Sequence, residues 1–142
     1  MHWGLRSQEM NRINAYEKNY CHFLFVHKGL KNEKGQVLAL LFNSEEGFPG
    51  EKEQAVALKK LKVSHLQTGF SFEGLSAGKY AISLVHDENG NGKMDSKIFE
   101  VPSEGYGTSN NVKTTLRPPS FEEAKIHLNN PSKSISISVF YL

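Results

Sequence analysis

The chain has 142 residues, 38% of them hydrophobic, and a formal net charge of +2 from basic and acidic residues spread along its length. Nine Phe and five Tyr exclude a disordered chain, and a chain of this length supports one core that buries about two-thirds of the unfolded surface. No basic stripe is present to release counterions from a phosphate backbone, which argues against nucleic acid, and no apolar run approaches the roughly 18 residues of a membrane-spanning helix.

In chain order, residues 1–19 are polar and lack the apolar stretch and small-residue cleavage site of a signal peptide. They are expected to form a poorly ordered extension or a non-native leader remnant before a single domain over residues 20–142. Phe23 to Val26 reads as a first strand, and Cys21, the only cysteine, allows no internal disulfide. Asn32-Glu33-Lys34-Gly35 has the composition of a hairpin turn. Val37 to Phe42 is apolar at every position, as in a strand buried on both faces. Glu51 to Lys60 follows Pro49-Gly50, places acids early and lysines late, and is predicted to be the one short helix. Leu61 and Val63 alternate with lysines, and Phe70 and Phe72 with Ser71 and Glu73. Gly74 to Tyr80 is a turn into the run Tyr80, Ile82, Leu84, His86, which is apolar at alternate positions up to its terminal histidine. Gly105 to Ser120 reads as a long non-strand region, the kind of segment that is functional or pinned in a compact domain. Ala124, Ile126 and Leu128 form a further alternating run. Asn129 to Ser132 turns into Ile135, Ile137, Val139 and Tyr141, which alternate with serines up to Ser138. About seven strands and one short helix predict an all-β, two-sheet antiparallel sandwich of immunoglobulin-like or transthyretin-like type.

The chemistry is concentrated in Asp87-Glu88-Asn89-Gly90-Asn91-Gly92-Lys93-Met94-Asp95. Asp87, Asn89 and Asn91 place oxygens at every second position, the Lys93 backbone carbonyl is a fourth donor, and Asp95 closes the series. A loop curling round calcium needs this spacing, because the ion is hard and takes about six to eight oxygens. Position twelve is Ile98, where a helix–loop–helix calcium site has its bidentate Glu, and a strand precedes the loop. The loop is therefore EF-like and needs a further acceptor, for which Glu100, Glu104, Glu122 and Glu123 are candidates. Two anionic ligands predict weak affinity, about 10⁻⁴ to 10⁻³ M as in extracellular modules. A solvent-exposed turn is the plainer reading, since Asn89-Gly90 and Asn91-Gly92 are themselves turn signals.

Other constellations are less specific. His86 ends a strand and is expected to hydrogen-bond a loop carbonyl; the six histidines show no zinc-ligand spacing. Adjacent His86 and Asp87 point to opposite faces and cannot pair as base and orienter, and no nucleophile elbow is present, so catalysis is not expected. Tyr106, Arg117 and Phe121 are candidates for a small-ligand or carbohydrate platform, although rings such as Tyr106 and Phe121 more commonly pin a loop.

Gly29-Leu30, Gly35-Gln36-Val37, Glu46-Gly47-Phe48-Pro49, Gly78-Lys79-Tyr80-Ala81, the His86–Asp95 loop, Glu104 to Asn111 and Pro118 to Ala124 occur together in one order. In this the chain resembles the bacterial domain-of-unknown-function family numbered 2141, from about Phe23 to the C-terminus. The resemblance implies a small β-sandwich, usually exported, with no established activity; the visible chain departs from it in showing no export signal. The combined expectation is a non-catalytic, periplasmic or secreted domain of structural or interaction type, with calcium in its loop and a protein or glycan partner. The alternative is a small-ligand or carbohydrate-binding module on the Gly105–Phe121 region.

Overall fold

The computed structural model describes residues 21–66, 69–88, 105–114, 117–129 and 132–141. The expected extension over residues 1–19 lies outside them. Their elements in order are β1 (Cys21–Lys28), β2 (Gln36–Phe42), a 3-10 turn (Lys52–Gln54), β3 (Ala57–Lys62), a second 3-10 turn (Val63–His65), β4 (Phe70–Leu75), β5 (Gly78–Asp87), β6 (Gly105–Thr108), a third 3-10 turn (Ser109–Asn111), α1 (Phe121–Ala124), β7 (Ile126–Leu128) and β8 (Ser132–Ser138). The described residues are thus mostly β with one short α-helix. Among the described residues no helix is long and apolar enough to cross a membrane.

Strands β4-β1-β8 form one sheet, and β3-β2-β5-β6 form the path of the other, to which β7 adds by pairing with the start of β5. Among the described residues every pairing is antiparallel except that of β1 with β8, which is parallel from His22↔Ser132 to Lys28↔Ser138. About a hundred residues separate β1 from β8, so no tight turn fixes their relative direction.

Alternation accounts for the centre of the second sheet. Val37, Ala39 and Leu41 of β2 join Tyr80, Ile82 and Leu84 of β5 in a core cluster that also takes Phe70 and Phe72 from β4 and Ile137 from β8. The intervening Leu38, Leu40 and Phe42 join Ala81 and Val85 in a second cluster with Phe121 and Ala124. Leu38, Leu40, Leu41 and Phe42 are all fully buried, and each contributes about 1.5–3 kcal/mol by leaving water.

The structure corrects four sequence expectations. Glu51–Lys60 is not a helix: a single 3-10 turn covers Lys52–Gln54, and β3 pairs with β2 from Leu41↔Ala57 to Gln36↔Lys62. The unpaired edge of β2 takes up this segment, and one ladder bond per residue outweighs a weak helical preference. Leu58, Lys60 and Lys62 face solvent along this edge strand, where lysines hinder pairing with another chain. Asn32–Gly35 is not a hairpin turn, because β1 and β2 belong to different sheets; the expected turn after Gly74 is present and joins β4 to β5 across sheets. Gly105–Ser120 is not free of strand, since Gly105–Thr108 is β6. Ala124 ends the helix rather than starting a strand.

Beyond β6, polar side chains fasten α1 over the sheet. Ser109 is fully buried; its Oγ accepts from the Ile82 N–H at 3.0 Å and donates to the Ala124 carbonyl at 2.6 Å. The Asn110 amide donates to the carbonyls of Glu123 and Lys125 at 3.0 and 2.9 Å. Ser109→Ala strands both an N–H and a carbonyl, and a loss of about 2 kcal/mol is expected in urea denaturation. A loss below the range of ordinary surface substitutions would refute the pinning role.

The C-terminus serves both sheets. After β8 leaves β1, Phe140 exchanges backbone bonds with Tyr106 of β6 at 2.9 and 2.7 Å. Gly107 permits this crossing, because a Cβ there would collide with the Ser138 carbonyl and lie 3.0 Å from the Ile137 side chain.

Candidate functional site

The end of β5 is where sequence and structure meet. His86 and Asp87 lie opposite Val37 and Gln36 of β2, and alternation sends their side chains to opposite faces. On one face the His86 ring is fully buried, with Nε2 at 2.7 Å from the Lys34 carbonyl and Nδ1 at 2.7 Å from the Tyr141 hydroxyl. A carbonyl only accepts, so Nε2 carries the proton; in the neutral ring Nδ1 then accepts from Tyr141. The Tyr141 oxygen is free to do this because it also accepts the Lys31 N–H at 2.8 Å. Burial pushes the Tyr141 phenol up from its ordinary pKa, the Lys31 N–H pulls it down, and the nearby Glu88 charge adds to the rise. The expected loop-carbonyl bond of His86 is therefore present, and Tyr141, beyond β8, completes it.

On the other face Asp87 is 1% exposed, and its Oδ2 accepts from Gln36 Nε2 at 3.1 Å. Glu88 follows, accepting from Asn32 Nδ2 at 3.0 Å and lying 4.0 Å from His86 Nδ1. Asn32 also accepts the Lys34 N–H at 2.9 Å, so the β1–β2 connection is a polar cradle for the last residues of β5. At its β2 end Gly35 has φ 68°, a conformation that a side chain disfavours. Asn32, Gln36, Glu88 and Tyr141 were not singled out by the sequence; the turn residue Asn32 and the alternating Tyr141 were the available signals.

Of the proposed calcium ligands, Asp87 is placed as described; Asn89, Asn91, Lys93 and Asp95 lie outside the described residues, as do Glu100 and Glu104. Glu122 and Glu123 are engaged on α1. Glu122 takes Lys125 at 2.6 Å, which lowers its pKa. Glu123 accepts the Arg117 guanidinium fork at 2.7 and 2.9 Å and closes a capping box with Ser120. Among the described residues no three His, Cys, Asp or Glu side chains come together as a metal site.

The Arg117 fork, then the Ser120 backbone and hydroxyl, pull the Glu123 carboxyl down to about 2. A depressed carboxylate adds stability above its unfolded pKa of about 4.3 and loses it as pH falls through the folded value. The stability carried by this cap is thus expected to fade between about pH 4 and pH 2. A carboxyl NMR titration checks this; a Glu123 midpoint in the ordinary glutamate range would refute it.

Tyr106, Arg117 and Phe121 each have a separate partner. Tyr106, 7% exposed, has the Phe140 ring at 6.5 Å. Phe121, 9% exposed, packs edge-on to Phe48 at 6.1 Å. Arg117 is exposed and held by Glu123.

A family model described as an uncharacterized protein conserved in bacteria (DUF2141) matches residues 26–136. Neither the curated proteins nor the solved structures yield a match.

Proposed function

Since the chain belongs to the bacterial DUF2141 family, we propose that it is a non-catalytic, extracytoplasmic β-sandwich domain of structural or interaction type whose Asp87–Asp95 loop holds one calcium ion. The sandwich reading, immunoglobulin-like or transthyretin-like, rests on a core cluster that draws side chains from β4 and β8 of one sheet and β2 and β5 of the other. The calcium reading rests on Asp87. The first carboxylate of the oxygen series is buried at a strand end and oriented by Gln36, so the loop would start from a preorganised ligand. The donors are all oxygen, which suits calcium and not zinc. The weak affinity expected of two anionic ligands matches calcium outside the cytoplasm, where a protein or glycan is the proposed partner and nucleic acid is not. The alternative module on Tyr106, Arg117 and Phe121 has less support, because both rings are buried and the guanidinium is engaged.

Calorimetric calcium titration of metal-stripped protein, with magnesium for comparison, tests the reading. The expected dissociation constant is about 10⁻⁴ to 10⁻³ M. At a hundred times that concentration calcium stabilises by about 2.7 kcal/mol, and Asp87→Asn is expected to lose most of this increment. Asparagine is preferred to alanine because it preserves the side chain's volume beside Gln36. Equal calcium increments in both proteins would reject the site.

A further inference from the structure

We propose that the cleft between the β2–β3 connection and α1 is a docking site for an arginine-bearing, extended peptide segment of a partner protein. It is an open cleft of about 700 Å³, lined by Glu45, Glu46, Phe48, Phe121 and Glu122 together with two serines. That volume lies within the range of ligand sites, roughly 300–1,000 Å³, and exceeds the needs of a single side chain.

The floor is aromatic and rigid. Phe48 is half-buried and held edge-on by Phe42 at 5.3 Å and by Phe121 at 6.1 Å, with interplanar angles of 86° and 84°. Phe42 is fully buried in the sheet, and Phe121 belongs to the helix that Ser109 fastens down. A ring that neighbours hold in place can receive a planar cation without losing further freedom.

The rim is acidic on a chain that is otherwise slightly basic. Residues 44–54, Ser-Glu-Glu-Gly-Phe-Pro-Gly-Glu-Lys-Glu-Gln, carry four Glu and one Lys, a net charge of −3 (1 − 4) against +2 for the whole chain. The Glu122 carboxylate already takes Lys125. Glu45 and Glu46 are exposed, and among the described residues neither forms an ion pair. Charge complementarity therefore selects a cation. Arginine fits better than lysine, since its planar guanidinium both stacks on a ring and matches a carboxylate in fork geometry. Several carboxylates bordering one open cleft favour cations spaced along a peptide over a single free ion.

None of residues 87–95 lines the cleft, so it stands whether or not Asp87–Asp95 binds calcium. Its test is an amide NMR titration of the full chain with the peptide Ala-Arg-Ala-Arg-Ala, using Ala-Glu-Ala-Glu-Ala and spermidine for comparison. Shifts confined to amides 44–48 and 120–122 are expected with the arginine peptide, weakening as salt rises. The double variant E45Q/E46Q, at exposed positions, is expected to weaken binding about tenfold. Phe48→Leu, which keeps the charge but removes the ring, should also weaken it. Five outcomes overturn the proposal: no shifts with the arginine peptide, shifts elsewhere on the surface, affinity unchanged in E45Q/E46Q, spermidine binding the same amides as tightly, or self-association that E45Q/E46Q abolishes. The last two would assign the cleft to a free cation or to a second copy of the chain.

Discussion

His86→Ala is expected to lower the unfolding free energy by about 3 kcal/mol, a large share of the roughly 5–15 kcal/mol of a typical domain. The ring is fully buried, so its removal leaves a cavity that the flanking strands only partly fill. It also strands the Lys34 carbonyl and the Tyr141 hydroxyl, which the imidazole joins at 2.7 Å on either side. The effect is distributed across three parts of the chain: the β1–β2 connection, the end of β5 and the C-terminal segment. Tyr141→Phe removes one of these links together with the exposed Lys31 N–H bond, which water can replace, and should cost about 1 kcal/mol. The two changes act through one network, so the double variant is expected to fall close to His86→Ala alone. Urea denaturation of the three variants checks this. A His86→Ala loss below 1 kcal/mol, or strict additivity, would show that the histidine fills space without joining the segments.

Gly35→Ala is expected to cost about 2–4 kcal/mol and to weaken any binding at the proposed calcium site at the same time. Two terms add. A side chain at φ 68° costs about 1 kcal/mol. The new Cβ would also collide with the Asp87 carbonyl and lie 2.7 Å from the Glu88 carbonyl carbon. Both are backbone atoms that cannot swing aside, so the end of β5 must shift, adding about 1–3 kcal/mol. Gly74→Ala separates the terms: its φ is 72°, but nothing lies within 4 Å of the added Cβ. It should show the conformational cost alone and leave the proposed calcium site untouched. If Gly35→Ala proves no worse than Gly74→Ala, the close approach of the β1–β2 connection to Asp87 is not a determinant of the site.

Several elements were legible because their signals are local. Val37–Phe42 is apolar at every position, and the strand it forms is buried on both sides. Tyr80, Ile82 and Leu84 alternate with residues of the other face, and that period of two survives into the two clusters. His86 could be assigned to the inner face by counting along its strand. The 51–60 segment misled for a physical reason. Its charges were arranged as on a helix, but the open edge of β2 offers a ladder to whichever chain follows. The turn at Asn32–Gly35 had hairpin composition, and composition reports that a chain reverses without saying which sheet it enters next.

The sequence by itself determined that the chain is mostly β, which residues alternate, and where calcium-type oxygens are evenly spaced, because side-chain period and loop chemistry are properties of neighbouring residues. Only the tertiary structure decided that β1 lies parallel to β8, that Tyr141 reaches back to His86, and that Gln36 orients Asp87. It also placed Glu45, Glu46, Phe48 and Phe121 around one cleft. These are contacts between segments tens of residues apart, and their partners are selected by the packing of whole strands, which no local pattern records.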